Sequence, residues 1–346
     1  MLTIRHAAAA LAGAAALVAG AASAGVQDDV FSVHTLVTDS ADASLVNGWG
    51  LSAGPTTPWW VSDNGSNNST LYNGSGAKQA LTVSVPGGPT GTVFNGVATD
   101  FVVSQSGKSG AARFLFATEG GQILGWSPTV NGTVAIPGVD SSSKGAVYKG
   151  LTLAADRLYA TDFHNGRVDV FDKAFAPVSL PFTDPKLPKG YAPFGIQAIG
   201  TSIFVTYAKQ DAAKKDDTAG GGFGYVDQFT TDGQFVARVA SGGRKNAPPN
   251  APWGLAMAPA SYGVFSGDLL IGNFGNGRIS AYQDRGGGKW VYKGQLRRGD
   301  QTLVTIDGLW AIAFGNGAAG GPTTSLYFAA GPGDEAHGLF GSITAG

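Results

Sequence analysis

A four-strand unit that repeats along the whole chain constrains the fold more than any other feature of this sequence. The clearest copy lies at 149–172, where the β-rich runs Leu158–Thr161 and Arg167–Asp172 flank a turn containing Asn165 and Gly166. Asn-Gly between two such runs is a strong hairpin signal. Four strands per unit at a period of roughly 40–50 residues are typical of a β-propeller.

Each copy of the unit opens with a short segment that has a small residue at its centre. The six openings are Trp49-Gly50-Leu51, Asn95-Gly96-Val97, Lys149-Gly150-Leu151, Phe194-Gly195-Ile196, Trp253-Gly254-Leu255 and Trp310-Ala311-Ile312. A missing or minimal side chain permits close approach of two backbones. The small residue recurs at the same position in every copy. This recurrence predicts that these segments are inner strands, which meet near the propeller axis.

The two ends of the repeat array complement each other. The sixth copy has no fourth strand after Gly338–Ile343, and a β-like run, Phe31–Val37, precedes the first copy. We predict that Phe31–Val37 pairs beside Gly338–Ile343 as the outer strand of the last blade. The expected fold is all-β, a six-bladed β-propeller formed by residues 25–346 as one domain. A pair of β-sandwiches is the alternative, but a four-strand period through the whole chain argues against it.

Residues 1–24 have the pattern of a secretory signal peptide. Arg5 and His6 precede an uncharged run rich in Ala, Leu and Val, and Ala22-Ser23-Ala24 is a small-residue cleavage pattern. We expect cleavage near Ala24 and a secreted or periplasmic mature protein. The absence of cysteine rules out disulfides and suits an exported chain that depends on no oxidising machinery.

Charge and composition exclude some partners. Only 14% of the residues are charged and the formal net charge is −1, so no long-range field attracts nucleic acid or an anionic membrane. No stretch after the leader is apolar enough for membrane insertion, and we expect a monomer. Gln105–Ala112 lengthens a link inside the second blade. The mixed-charge segment Lys209–Gly222 in the fourth blade is predicted to be a mobile, solvated loop.

Several segments resemble an exported bacterial propeller family that is related to NHL-repeat proteins. They include FNGVATDF (94–101), LYATDFHNGRVDVFD (158–172), PWGLAMAP (252–259), IDGLWAIAFGNG (306–317) and GPGDEAHGLFGS (331–342). The resemblance implies a propeller of unassigned activity and supplies no catalytic residues. Some members carry a C-terminal Pro-Glu-Pro sorting tail, which is absent here, so anchoring by that route is not expected.

The topology of a propeller predicts where a binding site lies. The connection into each inner strand and the turn after each second strand lie on one face, where their side chains line a funnel. The candidate ligand-binding residues on this face are Trp49, Asp63, Glu119, Lys149, Asp162, His164, Trp253, Asn273, Asp307, Asp334, Glu335 and His337, and Asn47, Asn64, Asn95 and Trp310 accompany them. Carboxylates, amides, histidines and aromatic platforms in one concavity suit a small-molecule site.

Each candidate also has a structural interpretation. Asp and Asn after a strand commonly bond the backbone of their own turn, and the tryptophans can serve packing between blades. Asp162, His164, Glu335 and His337 are the candidate metal ligands. No nucleophile elbow, HExxH motif or P-loop is present, and catalytic residues remain unassigned.

Three functions are compatible with these features. The first is a non-enzymatic exported propeller that binds a small ligand or an exported protein at the funnel face, with no cofactor. The second is a metal-assisted hydrolase or lyase that uses Ca²⁺ or Zn²⁺ at the same face. The third is an extracellular structural or matrix protein, for which self-association without a ligand is expected. Fold alone does not choose between them.

Overall fold

Six four-stranded antiparallel sheets form the body of the molecule. The computed structural model describes residues 30–346, so the predicted signal peptide at 1–24 lies outside the described residues. Within this part of the chain the secondary structure is almost entirely β, with four short 3-10 turns at Asn64–Ser66, Ser142–Lys144, Gly263–Phe265 and Phe274–Asn276. None of the described residues forms a helix long and apolar enough to span a bilayer. The expected six-bladed β-propeller is confirmed.

The blades follow one another in chain order, and each blade begins at the axis. The inner strands are Gly48–Ser52, Pro89–Phe94, Tyr148–Ala154, Tyr191–Ile199, Pro252–Met257 and Leu309–Phe314. The second strands are Trp59–Asp63, Phe114–Thr118, Arg157–Asp162, Ser202–Lys209, Leu269–Asn273 and Ser325–Ala330. The third strands are Asn68–Tyr72, Gln122–Trp126, Arg167–Asp172, Gly224–Thr230, Arg278–Asp284 and Leu339–Ala345. The outer strands of blades 1–5 are Lys78–Ser84, Ile136–Asp140, Pro177–Val178, Phe235–Ser241 and Trp290–Gln295.

The outer strand of blade 6 is Phe31–Thr38, as the sequence predicts. It pairs antiparallel with Leu339–Ala345, so that Val33 lies opposite Ile343. Because the strand that completes the last sheet comes from the beginning of the described chain, the ring is closed by hydrogen bonds between its two ends.

The inner strands approach so closely that a side chain does not fit between them. A Cβ on Gly195 would lie 2.1 Å from the carbonyl oxygen of Trp253, and a Cβ on Gly150 would lie 2.9 Å from the amide nitrogen of Ile196. Threonine hydroxyls add bonds across the same boundaries: Thr161 Oγ1 donates to the carbonyl of Phe194 at 2.6 Å. The predicted ring of small residues is therefore the contact surface between inner strands.

In blade 2 the predicted inner strand is wrong. The strand is Pro89–Phe94, and the ring glycine is Gly91, whose Cβ would lie 2.5 Å from the amide nitrogen of Leu151. Gly96 follows the strand in an exposed loop, and its Cβ would meet only the Phe94 ring, at 3.6 Å. Asn95, which was expected at the funnel, instead braces that loop through bonds to three backbone carbonyls.

The sequence predicts the outer strands of blades 2 and 3 at Gly132–Ile136 and Pro177–Phe182. The structure instead has Ile136–Asp140 in blade 2 and only the two residues Pro177–Val178 in blade 3. Phe182 leaves the sheet because its ring is buried between blades 3 and 4, against Tyr159 and Phe229. The predicted insertion after blade 2's inner strand is a separate hairpin of Val102–Gln105 and Lys108–Ala111.

Candidate functional site

Side chains from five of the six blades meet at one end of the central channel. We call this group the polar centre; it consists of Asn47, Asn64, Glu119, Lys149, Asp216 and Glu335. Asn47 and Lys149 come from the beginnings of inner strands, and Asn64, Glu119 and Glu335 follow second strands. These are the two kinds of position that the topology predicts for the funnel. Asp216 comes from the loop 209–222.

Lys149 lies in the middle of the polar centre, and its side chain is only 1% exposed. Its Nζ donates to Glu119 Oε1 at 2.7 Å and to Asp216 Oδ1 at 3.0 Å, and it lies 4.7 Å from the centre of the Trp49 ring. Burial by itself lowers the pKa of Lys149, but the charges of Glu119 and Asp216 outweigh it, and the pKa is raised. The ammonium group therefore stays charged inside the protein.

The amide side chains fix the carboxylates around this cation. Asn64 Nδ2 donates to Glu119 Oε2 at 2.9 Å, so that both oxygens of Glu119 are bonded. Asn47 Nδ2 donates to Glu335 Oε2 at 2.5 Å, while its Oδ1 accepts from Trp310 Nε1 at 2.9 Å. Burial raises the pKa of Glu119, but the Lys149 charge and the hydrogen bonds prevail and lower it. Glu119 is thus the permanent counter-ion of Lys149.

Aromatic rings lie beside and beneath the polar centre. The Trp49 and Trp310 rings stack at 3.6 Å between centroids, and Phe274 stacks on Trp310 at 3.8 Å. Trp49 and Trp310 are almost fully buried: Trp310 lies between Trp49 and Phe274, and Lys149 Nζ lies over the Trp49 ring. This arrangement agrees with the packing role that the sequence allows for these tryptophans.

The loop 209–222 contacts the polar centre through Asp216, while residues 212–216 at its tip are exposed. Asp211 Oδ1 accepts from the amides of Lys215 and Asp216, and Gln210 pairs with Asp217 across the base of the loop. This conformation of the loop places the Asp216 side chain next to Lys149. Asp216 was not among the predicted site residues, because a segment of mixed Lys and Asp is also typical of a solvated loop. The available signal was the charge itself, since a dense charged segment is unusual in a chain with 14% charged residues.

Asp217 and Glu335 hold protons more tightly than ordinary carboxyls. Burial, then the charges of Glu335 and Asp216, raise the pKa of Asp217 to about 7 against the opposing charge of Lys149. Burial is also the main cause of the raised pKa of Glu335, opposed by Lys149 and by the bond from Asn47. Beside the fixed ion pair of the polar centre, Asp217 and Glu335 are thus two carboxyls whose pKa values are raised.

Replacing Asp217 by asparagine should change how stability depends on pH. Between about pH 4 and 7 the folded protein holds a proton on Asp217 that the unfolded chain releases. The wild-type free energy of unfolding therefore falls through this window as pH rises and levels off above it. Asp217→Asn removes this decline, so we expect the variant to gain stability relative to wild type between pH 5 and pH 8. Denaturation curves at several pH values test this, and parallel profiles would contradict it.

The other predicted site residues lie elsewhere or serve structural roles. The Asp162 carboxylate accepts from the side chain and amide of Asn165, and Asn273 Nδ2 donates to the Arg278 carbonyl, so each braces its own turn. In these two cases the structural interpretation applies. The Asp63 carboxyl is fully buried within blade 1 and has no hydrogen-bond partner among the described residues, and burial raises its pKa well above the usual range.

The remaining candidates lie on the rim or in other surroundings. Asp307 Oδ2 accepts from the Gly333 amide, Asp334 is exposed, and His337 Nδ1 lies 2.7 Å from Asp39 Oδ2. The His164 ring lies near Gly145. Within residues 30–346, no three His, Asp or Glu side chains converge as a metal site, so the structure does not assemble Asp162, His164, Glu335 and His337 into one ligand set.

The opposite end of the channel contains a cavity of about 300 Å³. Its wall combines polar side chains such as Gln197 with Leu151, Ile196, Leu255 and Ile312, the residues that follow the ring glycines and Ala311. Trp253 borders this cavity and meets Trp310 edge-on. The two ends of the channel differ in charge, because ionisable side chains form the polar centre whereas none of the described residues that line this cavity is ionisable.

Relatives of the chain are found by sequence. No protein-family model matches it. It is 30% identical over 331 residues to uncharacterized protein L690 of Acanthamoeba polyphaga mimivirus, an alignment covering 91% of this chain and 84% of that protein. Uncharacterized protein R648 of the same virus is 30% identical over 286 residues, covering 79% and 69%. The chain belongs to the same family as these viral proteins.

A third relative, uncharacterized protein R640 of the same virus, is 33% identical over 233 residues, which is 65% of this chain. The aligned part spans only 42% of the length of R640. These relatives do not test the predicted membership of an exported bacterial family, which stays a prediction.

Solved structures share the architecture. Streptogramin B lyase superposes with a TM-score of 0.55 at 12% identity, covering 93% of this chain and 99% of that one. The soluble aldose sugar dehydrogenase from Escherichia coli gives 0.55 at 14% identity, covering 91% and 99%. At such low identity the likeness establishes the propeller fold and leaves the chemistry to the site itself.

Proposed function

We propose that this protein is a binding propeller that takes a small polar molecule at the polar centre. The observation that carries this proposal is the buried ammonium of Lys149 at the end of the channel, shared between a fixed carboxylate and a loop carboxylate. A buried, paired charge costs desolvation and adds little net stability over well-packed apolar side chains. Such an arrangement is more readily explained by recognition of a ligand than by the needs of the fold.

The donors and acceptors of the polar centre define the kind of molecule that suits it. Lys149 offers a charged donor, the carboxylates of Glu119 and Glu335 offer acceptors, and Asn47 and Asn64 hold these groups in position. A compact ligand with both hydroxyl and acceptor groups can satisfy this set. The buried rings of Trp49 and Trp310 form one wall of the site.

The metal-assisted alternative is less well supported by the same residues. Glu119 and Asp216 are held together by the Lys149 ammonium, which stands where a shared cation would stand. Glu335 is bonded to the amide of Asn47 rather than directed into that space. Lys149 thus supplies the positive charge that a metal ion provides in other sites.

We further propose that the protein acts outside the cytoplasm. The support is the leader-like pattern of residues 1–24 and the lack of cysteine. Expression of the full chain followed by N-terminal sequencing of the exported product tests this, and a product that retains residues 1–24 inside the cell would contradict it.

A thermal-shift screen of the mature chain tests the binding proposal. We suggest a panel of neutral sugars, sugar acids, amino acids and polyamines. A compound at 100 times its Kd stabilises the folded state by about 2.7 kcal/mol, which is a rise in Tm of about 5 °C. Glu335→Ala removes one acceptor of the polar centre and should weaken the binding of a hit by about tenfold or more.

The matched control for this screen lies at the other end of the channel. Gln197 is exposed and borders the cavity at that end, so Gln197→Ala should leave the binding of the same hits unchanged. Compounds that still bind Glu335→Ala but no longer bind Gln197→Ala would place the ligand in that cavity and refute the proposal.

A further inference from the structure

We propose that the ligand carries a carboxylate, which takes the place of Asp216 at Lys149 when the loop 209–222 moves aside. This inference rests on the proposed binding function and specifies the ligand class for that site. Asp216 is then a built-in substitute for the ligand, held by the chain's own loop in the position that the incoming carboxylate occupies.

The two carboxylates bonded to Lys149 differ in how they are held. Glu119 is 19% exposed, and its second oxygen is bonded to Asn64. Asp216 is 58% exposed, and the described residues around it give its side chain no hydrogen bond other than the one to Lys149. One partner is therefore a fixed part of the site, whereas the other is attached only through its loop.

The charges around Lys149 favour a ligand carboxylate that replaces Asp216 over one that binds beside it. A carboxylate that replaces Asp216 leaves the number of negative charges around Lys149 unchanged. A carboxylate that joined Asp216 would add repulsion to a group that already contains Glu119, Glu335 and Asp217, two of which have raised pKa values because of burial and their acidic neighbours. The ligand must therefore displace Asp216 to bind with favourable electrostatics.

The loop has a backbone suited to such a displacement. Its C-terminal end, the glycine run 220–222, is anchored outside the tip, because the Gly220 amide donates to Asn250 Oδ1 at 2.7 Å and the Gly222 amide donates to the Pro249 carbonyl at 2.9 Å. At its base, Gln210 donates to the carbonyl of Phe163 at 2.6 Å, outside the moving part. Within the tip, Asp211 bonds the amides of Lys215 and Asp216, so the tip can move as a unit that carries Asp216 with it.

Rescue by acetate tests this inference on the mature protein. Asp216→Ala removes the loop carboxylate and leaves Lys149 accessible to a small anion. We expect 100 mM sodium acetate to raise the Tm of Asp216→Ala by about 2 °C more than it raises that of wild type. Acetamide at the same concentration and sodium chloride at the same ionic strength should not reproduce this difference, because neither supplies a carboxylate.

Asp232→Ala is the matched control, since Asp232 is an exposed carboxylate bonded to another cation, Arg157, on the surface. Acetate should stabilise this variant no more than wild type. Equal acetate shifts in both variants and wild type would overturn the inference, as would a rise with methylammonium chloride instead, which would indicate a cation site. If screening hits still depend on Glu335 while acetate rescue fails, the binding function stands and only the ligand class is refuted.

Discussion

Gly91→Ala should destabilise the protein by about 2–3 kcal/mol, whereas Gly96→Ala, five residues further along, should change the free energy of unfolding by less than about 0.5 kcal/mol. The two glycines belong to the same blade and lie close together in sequence. Only Gly91 lies where two inner strands meet.

The expected difference follows from what a methyl group would contact. At Gly91 a Cβ would lie 2.5 Å from the backbone nitrogen of Leu151 and 2.9 Å from the carbonyl carbon of Gly150. Backbone atoms cannot rotate away as a side chain can, so blades 2 and 3 must separate. At Gly96 the nearest atom belongs to the Phe94 ring at 3.6 Å, which is ordinary van der Waals contact.

Chemical denaturation of both variants measures the effect, with Tm as a second readout. A large loss for Gly96→Ala with little change for Gly91→Ala would restore Asn95–Val97 as the inner strand and contradict the assignment of Pro89–Phe94. A loss in both variants would mean that the exposed loop after the strand carries packing that the structure does not contain.

The contrast between these glycines explains which features of the fold the sequence predicts well. The closing strand is predictable because the β-like run Phe31–Val37 and the incomplete sixth copy require each other. The inner strand of blade 2 is less predictable, since Thr90-Gly91-Thr92 is polar and Asn95-Gly96-Val97 matches the other openings better. Threonine fits the axis here because Thr90 Oγ1 donates across the blade boundary to the Tyr148 carbonyl at 2.9 Å.

The site was predicted in part for a similar physical reason. Glu119, Lys149 and Glu335 were found because propeller topology assigns strand ends to a face. The same rule also selected Asp162 and Asn273, because a polar residue that braces its turn and one that faces a ligand occupy the same position in the repeat. Their hydrogen-bond partners distinguish them, and those partners come from loops whose paths no periodicity encodes.

The largest electrostatic effect is expected at Lys149. We predict that Lys149→Met destabilises the protein by about 3–5 kcal/mol, because it leaves the mostly buried carboxylate of Glu119 without its counter-ion. Glu119→Gln added to this variant should recover much of the loss, because the other carboxylate bonded to Lys149, that of Asp216, is 58% exposed and can be solvated by water. A double-mutant cycle on the free energy of unfolding measures this coupling.

The dependence on pH identifies the cause of this effect. The pKa of Glu119 is lowered in the folded protein, so its contribution is present above its unfolded pKa and is lost as pH falls through the folded value. Without Lys149, burial of the Glu119 carboxyl on folding costs less free energy once that carboxyl is protonated. The deficit of Lys149→Met should therefore shrink as pH falls below about 4.5, whereas a deficit caused by lost packing would not depend on pH.

A surface pair provides the comparison that separates charge from position. Arg157→Met removes the cation bonded to Asp232, an exposed carboxylate, and should leave the free energy of unfolding nearly unchanged because water solvates both groups. If Lys149→Met proved as mild as Arg157→Met, or if Glu119→Gln failed to restore stability, Glu119 would not depend on Lys149. The buried ammonium would then lose its role as the fixed charge around which the proposed binding site is built.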